Sequence, residues 1–435
     1  MGQFDRKAQS QPKHGKPSSS GASKAAPRPN GGTPEWKGPG YIPKKKSTAK
    51  PTASSAQEPL KLEPTLPLEL EQRMLEVFRA TFPASSDFEG LKPTLYKVND
   101  ALLRKDLDAA FAEEAHLEAY AIRWSPSRAL GYAQLLAWIC AEKEDDACIQ
   151  QLVGSVPSQS AAKVVCFGGG AAEIMAFSGL LRYSRPSEVA GKPNSPSTEE
   201  VSDSLEALKV SAAKTTTTTT TTTTNPTTHP LLRLSHLDIA DWTSVLSKLE
   251  QGLNTPPVLS KYASATARAT NASFLEPGIV EHAFTRTDIL NSSTEDLRAT
   301  IGPAPALLTL MSTLNDLYTT SMPRTTDFLK KVTEAAPTGS LLLVVDTPGA
   351  HTEVTASNAE GEEEKRKYPM NLLLDFALVP KQRKTSGRKD DDVESRPAWE
   401  KVVEKTSMSY KLREGLRYPG SLENLRFQVH LFRRL

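Results

Sequence analysis

From Leu66 onward, apolar residues recur at three- and four-residue steps. Leu68, Leu70, Met74, Leu75, Phe78 and Phe82 form a first run, and Leu102, Leu103, Leu107, Phe111, Leu117 and Tyr120 a second. Leu130, Tyr132, Leu135, Leu136 and Ile139 form a third. This spacing places one apolar stripe on each of several helices. It predicts a helical subdomain over residues 66–150. Between the second and third runs lies the corner Arg123-Trp124-Ser125-Pro126-Ser127-Arg128-Ala129-Leu130. Pro126 suits a first helical turn, and Ser125 before it suits a cap. The corner reads either as an ordinary capped junction with a buried Trp124, or as a basic and aromatic site where Arg123, Arg128 and Trp124 bind phosphate or stack on a base.

Beyond residue 150 the period changes. Lys163–Phe167 is a short apolar run that enters Gly168-Gly169-Gly170 and then a helix-forming stretch to Phe177. This is strand, tight turn, helix. Leu231–Trp242 reads as a strand ending in acids, followed by a helix from Trp242 to Leu249. Residues 281–290 and 306–318 repeat the strand-to-acid signal, a helix at 325–335 follows, and Ser340–Asp346 is a buried strand. A helical run spans Tyr368–Leu378. The chain closes on alternating Leu425, Phe427, Val429 and Leu431, a terminal half-buried strand. Strands alternating with helices imply a doubly wound, mostly parallel sheet over residues 151–435. Polar segments interrupt it: residues 183–230, with ten consecutive threonines at 215–224, and charged loops at about 351–367 and 381–396.

Composition adds a polarity to this layout. The net charge of +2 hides an uneven split. Residues 1–62 hold twelve lysines and arginines against three acids, a net +9, which leaves −7 on the remainder. Residues 1–65 lack apolar periodicity and are rich in Ser, Pro, Gly and Lys, so they are expected to be a disordered basic tail. Lys44-Lys45-Lys46 is its densest point, suited to an RNA-binding arm or a nuclear address; a merely solubilising tail is the plainer reading. The longest apolar runs fall short of a membrane span, and the N-terminus lacks the apolar core of a secretory signal. Cys140, Cys148 and Cys166 include no C-x-x-C pair, so neither a disulfide framework nor structural zinc is expected.

The chemistry gathers at the glycine turn. A doubly wound sheet binds ligands at the carboxyl ends of its strands, and glycines let a ligand approach backbone N–H groups at a helix start. Asp238, ending the next strand, suits a ribose diol; a helix-capping role is the alternative, and Asp241 competes for it. Asp288, one strand on, suits an adenine amino group or else a solvated turn. Ser312, after the third strand, is grouped with these cofactor-side residues. Dinucleotide and S-adenosylmethionine sites share this logic. The spacing Gly168-x-Gly170-x-Ala172 fits a methyltransferase turn better than the G-x-G-x-x-G of a nicotinamide domain, and so does the C-terminal strand.

VVCFGGGAAEIMAF, RWSPSRALGY, LTLMSTLNDLY, GSLLLVVDTPG and RYPGSLENLRFQVHLFRR together resemble the fungal methyltransferases that modify N3 of a uridine in 25S ribosomal RNA. The resemblance runs from Leu66 to the end, outside the threonine insert and charged loops. It implies a class I methyltransferase fold, with a Rossmann-like doubly wound sheet and an antiparallel C-terminal strand. It implies S-adenosylmethionine as cofactor, large-subunit rRNA or a pre-ribosomal particle as partner, and a nuclear, nucleolar location with the cytoplasm as the alternative, with neither membrane nor metal. Two departures stand out. Cys166 replaces the acid usual two residues before the first glycine, and Ala172 replaces the third glycine. Around the target base, Asn315 would hold the uracil carbonyls, Asp316 would accept the imide proton and Tyr318 would stack; alternatively Asn315 and Asp316 cap a helix. Arg413, Arg417 and Arg426 join Arg123 and Arg128 as cations for RNA. Two rivals remain on sequence alone: a nicotinamide oxidoreductase, and a ribosome-assembly scaffold without transfer activity.

Overall fold

Two-residue alternation along buried strands sorts the side chains into two apolar layers. In β2 (Ala162–Phe167), Val164 and Cys166 face one layer, while Val165 and Phe167 face the other. In β6 (Leu341–Asp346), Leu341, Leu343 and Val345 oppose Leu342 and Val344 in the same way. Both faces must therefore be covered, and helices cover them. The computed structural model describes residues 59–155, 160–189, 229–349, 351–357, 363–379 and 397–435. All of these fall within one unit, residues 57–435. Lys44–Lys46, most of the insertion with its threonines, and the charged stretch 381–396 lie outside the described residues.

The remaining strands of the main sheet are β1 (Leu60–Lys61), β3 (Leu232–Asp238), β4 (Val280–Arg286), β5 (Leu307–Met311), β9 (Trp399–Tyr410) and β10 (Leu425–Arg434). Their order is β1-β9-β10-β6-β5-β2-β3-β4. Strands β4, β3, β2, β5 and β6 are mutually parallel, and β10 runs antiparallel to both β6 and β9. This is the doubly wound sheet with an inserted antiparallel C-terminal strand that the class I methyltransferase resemblance implies.

The longer helices, in chain order, are α1 (Leu68–Thr81), α2 (Phe88–Leu103), α3 (Glu114–Arg123), α4 (Ser125–Glu142), α5 (Ala147–Val153), α6 (Ala171–Ser184), α7 (Thr243–Asn254), α8 (Thr294–Ile301), α9 (Leu314–Thr320), α10 (Met322–Ala335) and α11 (Met370–Leu378). Residues of α1, α4, α6 and α7 share one buried cluster with the sheet, and residues of α8 to α11 share the other. The N-terminal helices are thus part of the covering layer: Met74 and Phe78 of α1 bury in the same cluster as Val164 of β2.

Several expectations are corrected. The apolar run Leu102–Tyr120 is broken at Lys105, whose φ of 58° turns the chain out of α2. Ser125 is the first residue of α4 and Trp124 stands in the cap position without a side-chain cap. The insertion begins later than 183, because α6 runs to Ser184. β10 is buried on both faces from Phe427 to Phe432, including Gln428 and His430, because it lies inside the sheet. The polar pair is accommodated locally: Gln428 Nε2 donates to the Thr347 carbonyl at 2.9 Å. β9 was not anticipated. Part of the charged loop at 351–367 is an antiparallel ribbon, β7 (His351–Ser357) with β8 (Glu363–Pro369). Its sequence offers no apolar face, so alternation could not reveal it.

Candidate active site

The strand order reverses at β2, with β3 and β4 to one side and β5 and β6 to the other. Loops leaving the carboxyl ends of β2 and β5 diverge there, which leaves a crevice. The residues that end these strands are those the sequence marks.

The glycine turn after β2 is shaped as much by its neighbours as by open space. Gly168 has φ +75°, in the left-handed region that glycine adopts without penalty. A Cβ there would also lie 2.4 Å from Thr313 Cγ2. A Cβ on Gly169 would lie 2.6 Å from Cys166 Cβ and 2.9 Å from the His236 ring, and one on Gly170 would touch the Trp242 indole at 3.2 Å. The turn is closed by Glu173, whose Oε2 accepts from Gly170 N–H at 2.7 Å. Glu173 is buried, and burial pushes its carboxyl up to about 7 despite the backbone N–H groups that favour the anion. Cys166 is buried, and burial pushes its thiol well above the usual range, so it stays neutral.

Asp238 ends β3. Its Oδ1 accepts from Ala240 N–H at 2.8 Å, and burial raises its carboxyl to about 6. Asp241, not Asp238, takes the start of α7, accepting from the backbone N–H and hydroxyl of Thr243. Ile239, directly after Asp238, is 54% exposed. An uncovered large aliphatic group beside a ribose-type acid offers a flat apolar contact for a base. Asp288, after β4, starts a short turn: Oδ1 accepts from Leu290 N–H at 3.0 Å, and Oδ2 accepts from Asn291 Nδ2 and pairs with Arg324 at 3.1 Å. Both its oxygens have protein partners.

Ser312 follows β5 and has φ +59°, a strained conformation for a residue with a side chain. Its N–H donates to the Val345 carbonyl at 2.7 Å. Its Oγ lies 2.8 Å from Tyr132 Oη, so this turn is tied to α4. Tyr132 is buried, which pushes its phenol up to about 12. Thr313 then caps α9, so the expected loop Leu314–Tyr318 is helix. Asn315 and Asp316 stand in its first turn and do not cap it. Instead Asp346, ending β6, accepts from Asn315 N–H at 3.0 Å and from Thr347 N–H at 2.8 Å. Burial raises Asp346 to about 6. The Asn315 amide has no hydrogen-bond partner among the described residues. Asp316 is partly buried, and desolvation raises its pKa against the opposing charges of Lys105 and Arg128. Tyr318 is buried beneath the helix, within the apolar layer, and not presented for stacking.

Arg123 and Arg128 part company. The Arg123 guanidinium donates to the Ser421 carbonyl at 3.0 Å and pairs with Glu423. Arg128 lies over the Tyr120 ring at 5.2 Å and faces the strand ends. The structure thus brings Gly168, Gly169, Gly170, Asp238, Ser312, Asn315 and Asp316 to the carboxyl ends of the central strands, with Asp288 beside them after β4. Sequence reasoning missed Tyr132, Ile239 and Asp346. An acid closing a buried strand was the signal that selected Asp238, and Asp346 carries the same signal. These residues fit an adenosyl cofactor: a glycine turn, a carboxylate for a diol, an uncovered aliphatic surface beside it, and opposite charges across the crevice.

A family model described as "Putative SAM-dependent methyltransferase" matches residues 78–433. The chain belongs to this family. Its cofactor is therefore S-adenosylmethionine. The methyltransferase is 28% identical over 387 residues to the "25S rRNA (uridine(2843)-N(3))-methyltransferase" of Saccharomyces cerevisiae, covering 87% of this chain and 88% of that one. Solved structures that are similar include a SAM-dependent methyltransferase from Methanosarcina mazei, at 11% identity and TM-score 0.27, covering 64% of this chain and 94% of that one. Another is SAM-bound CalS10, an amino pentose methyltransferase from Micromonospora echinaspora, at 10% identity and TM-score 0.26, covering 71% and 92%.

Proposed function

We propose that this methyltransferase transfers the methyl group to N3 of a uridine in large-subunit ribosomal RNA. The observation that carries this reading is the match to the yeast uridine-N3 enzyme along nearly the whole of both chains. The site chemistry agrees with it. Uridine N3 carries an imide proton on its pairing edge, so the base must be unpaired and lose that proton as it attacks. Bound S-adenosylmethionine supplies an electrophilic methyl group. The chain's part is to align the base and take the proton. Asp316 makes no ion pair among the described residues, and its raised pKa suits a proton acceptor. Asn315, adjacent to it, has an amide available for the uracil carbonyls. Asp346 holds the turn that carries both through the Asn315 backbone.

Glu173, Asp238 and Ser312 would hold the cofactor, with the glycine turn giving its backbone room. The basic N-terminal segment supports RNA as the partner and the nucleus as the place of action, where a tagged chain should accumulate. The test is transfer from labelled S-adenosylmethionine to large-subunit rRNA, offered naked and as pre-ribosomal particles, followed by nucleoside mass spectrometry. The expected product is 3-methyluridine. A methyl on C5 or on a ribose hydroxyl overturns the reading, and so does RNA binding with no transfer, the result a scaffold would give.

A further inference from the structure

Among the described residues Arg128 forms no ion pair, and its position gives it a partner to expect. It lies four residues before Tyr132 on α4, so both side chains share one helix face. That face meets the strand ends, because Tyr132 Oη is 2.8 Å from Ser312 Oγ. The guanidinium rests on the Tyr120 ring at 5.2 Å. It makes no ion pair among the described residues, although its charge acts on Glu173, Asp316 and Asp346. Two of these acids are already engaged by backbone N–H groups: Glu173 by Gly170, and Asp346 by Asn315 and Thr347. A cation held near carboxylates but bonded to none suits a ligand that brings both signs. A guanidinium fork binds a carboxylate, and the protein carboxylates bind an ammonium. An α-amino acid zwitterion has both.

We propose that Arg128 binds the α-carboxylate of the cofactor's amino-acid end, while Glu173 faces its ammonium. The inference rests on the methyltransferase reading and assigns residues within it. It also accounts for Cys166. A neutral buried thiol cannot balance an ammonium, yet Cys166 and Glu173 flank the same glycine: a Cβ on Gly169 would lie 2.6 Å from Cys166 Cβ and 3.5 Å from Glu173 Cγ. The carboxylate absent from the end of β2 is supplied one turn into α6. Arg128 is then a cofactor residue and not an RNA contact.

The test compares two ligands that differ only at that end. S-adenosylhomocysteine carries the amino acid; 5′-methylthioadenosine keeps the adenosyl thioether and lacks it. Titration calorimetry on the full chain, wild type and Arg128→Gln, gives both affinities. Arg128→Gln should weaken S-adenosylhomocysteine by about 10- to 100-fold, the scale of one charge-assisted bond, and leave 5′-methylthioadenosine unchanged. Arg128→Lys should retain part of the affinity, and Glu173→Gln should show the same ligand selectivity. Equal weakening of both ligands by Arg128→Gln would mean a structural role and overturn the proposal. Unchanged binding of both overturns it too, and a loss confined to an rRNA fragment would return Arg128 to the RNA. Wild-type protein that binds neither ligand overturns the methyltransferase reading, and this proposal with it.

Discussion

A buried carboxyl group is costly to ionise, and this crevice holds three, two at strand ends and one in the first turn of α6. Burial sets Asp238 and Asp346 near about 6 and Glu173 near about 7, against roughly 4 for such groups in an unfolded chain. Between pH ~4 and ~7 these three carboxyls therefore bind more protons in the folded protein than in the unfolded chain. Their contribution to stability is greatest below that window and declines as pH rises through it, while the buried imidazoles of His236, His282 and His430, whose pKa values burial lowers, contribute in the opposite direction. A ligand bringing an ammonium reverses the preference, because it stabilises the anions. Binding of S-adenosylmethionine should release protons near pH ~6.5 and tighten as pH rises from ~5.5 to ~7. Calorimetry in buffers of different ionisation enthalpy reads the proton count directly, and proton uptake would contradict the assignment.

The glycine turn gives a second test at this scale. Gly168→Ala meets both a left-handed φ of +75° and a Cβ contact of 2.4 Å with Thr313 Cγ2, so it should cost about 2–4 kcal/mol. Adding Thr313→Ala removes both crowding atoms, Cγ2 at 2.4 Å and Oγ1 at 2.5 Å, and should recover only the steric part. Such residues were legible where a local rule names them: three glycines after an apolar run, or an acid ending a strand. Tyr132 and Ile239 were not, because their roles depend on what the fold brings opposite them.

At the scale of elements, α4 matters because it carries Arg128 and Tyr132, and the C-terminal segment before β10 holds it in place. Arg123 binds the Ser421 carbonyl and Glu423, Glu423 N–H donates to Ser127 Oγ at 2.9 Å, and Tyr418 Oη donates to the Ile122 carbonyl at 2.9 Å. Gly131 lets β10 approach, since a Cβ there would lie 2.4 Å from Leu425 Cδ1. Arg123→Ala should destabilise the protein by about 1–2 kcal/mol, read by denaturant unfolding. It should weaken cofactor binding through misplaced α4 and leave the salt dependence of RNA binding unchanged. A shallower salt slope with unaltered stability would make Arg123 an RNA contact after all. The two quoted motifs, RWSPSRALGY and RYPGSLENLRFQVHLFRR, are the two halves of this clamp. Their sequence marks them as unusual, but nothing in either alone says that they touch. The parallel strands and covering helices were readable because each buries an apolar run. β9 was not, since charged residues interrupt its apolar positions.

For the whole molecule, the charge split sets a basic N-terminal segment apart in sequence from a mildly acidic remainder. β1 adds Leu60–Lys61 to the edge beside β9, and Leu62 and Leu66 are buried behind it. Residues 1–56 hold eleven lysines and arginines against two acids. A body with net negative charge repels RNA on average, so phosphate contacts made by the N-terminal segment would supply much of the non-specific affinity. Each phosphate neutralised contributes roughly 0.7 to 0.9 to the slope of log K against log salt. Deleting residues 1–56 leaves β1 and the buried leucines in place, so cofactor affinity and thermal midpoint should stay near wild type. If four or more of the eleven cations engage phosphates, the slope for an rRNA fragment should become shallower by about 3 or more. Anisotropy titrations across a series of potassium chloride concentrations measure this. An unchanged slope would place RNA affinity in the folded unit, on cations such as Arg417 and Arg426 near the C-terminal clamp. The transfer reaction on saturating substrate should survive the deletion in either case, because every group assigned to the base and the cofactor lies beyond residue 59.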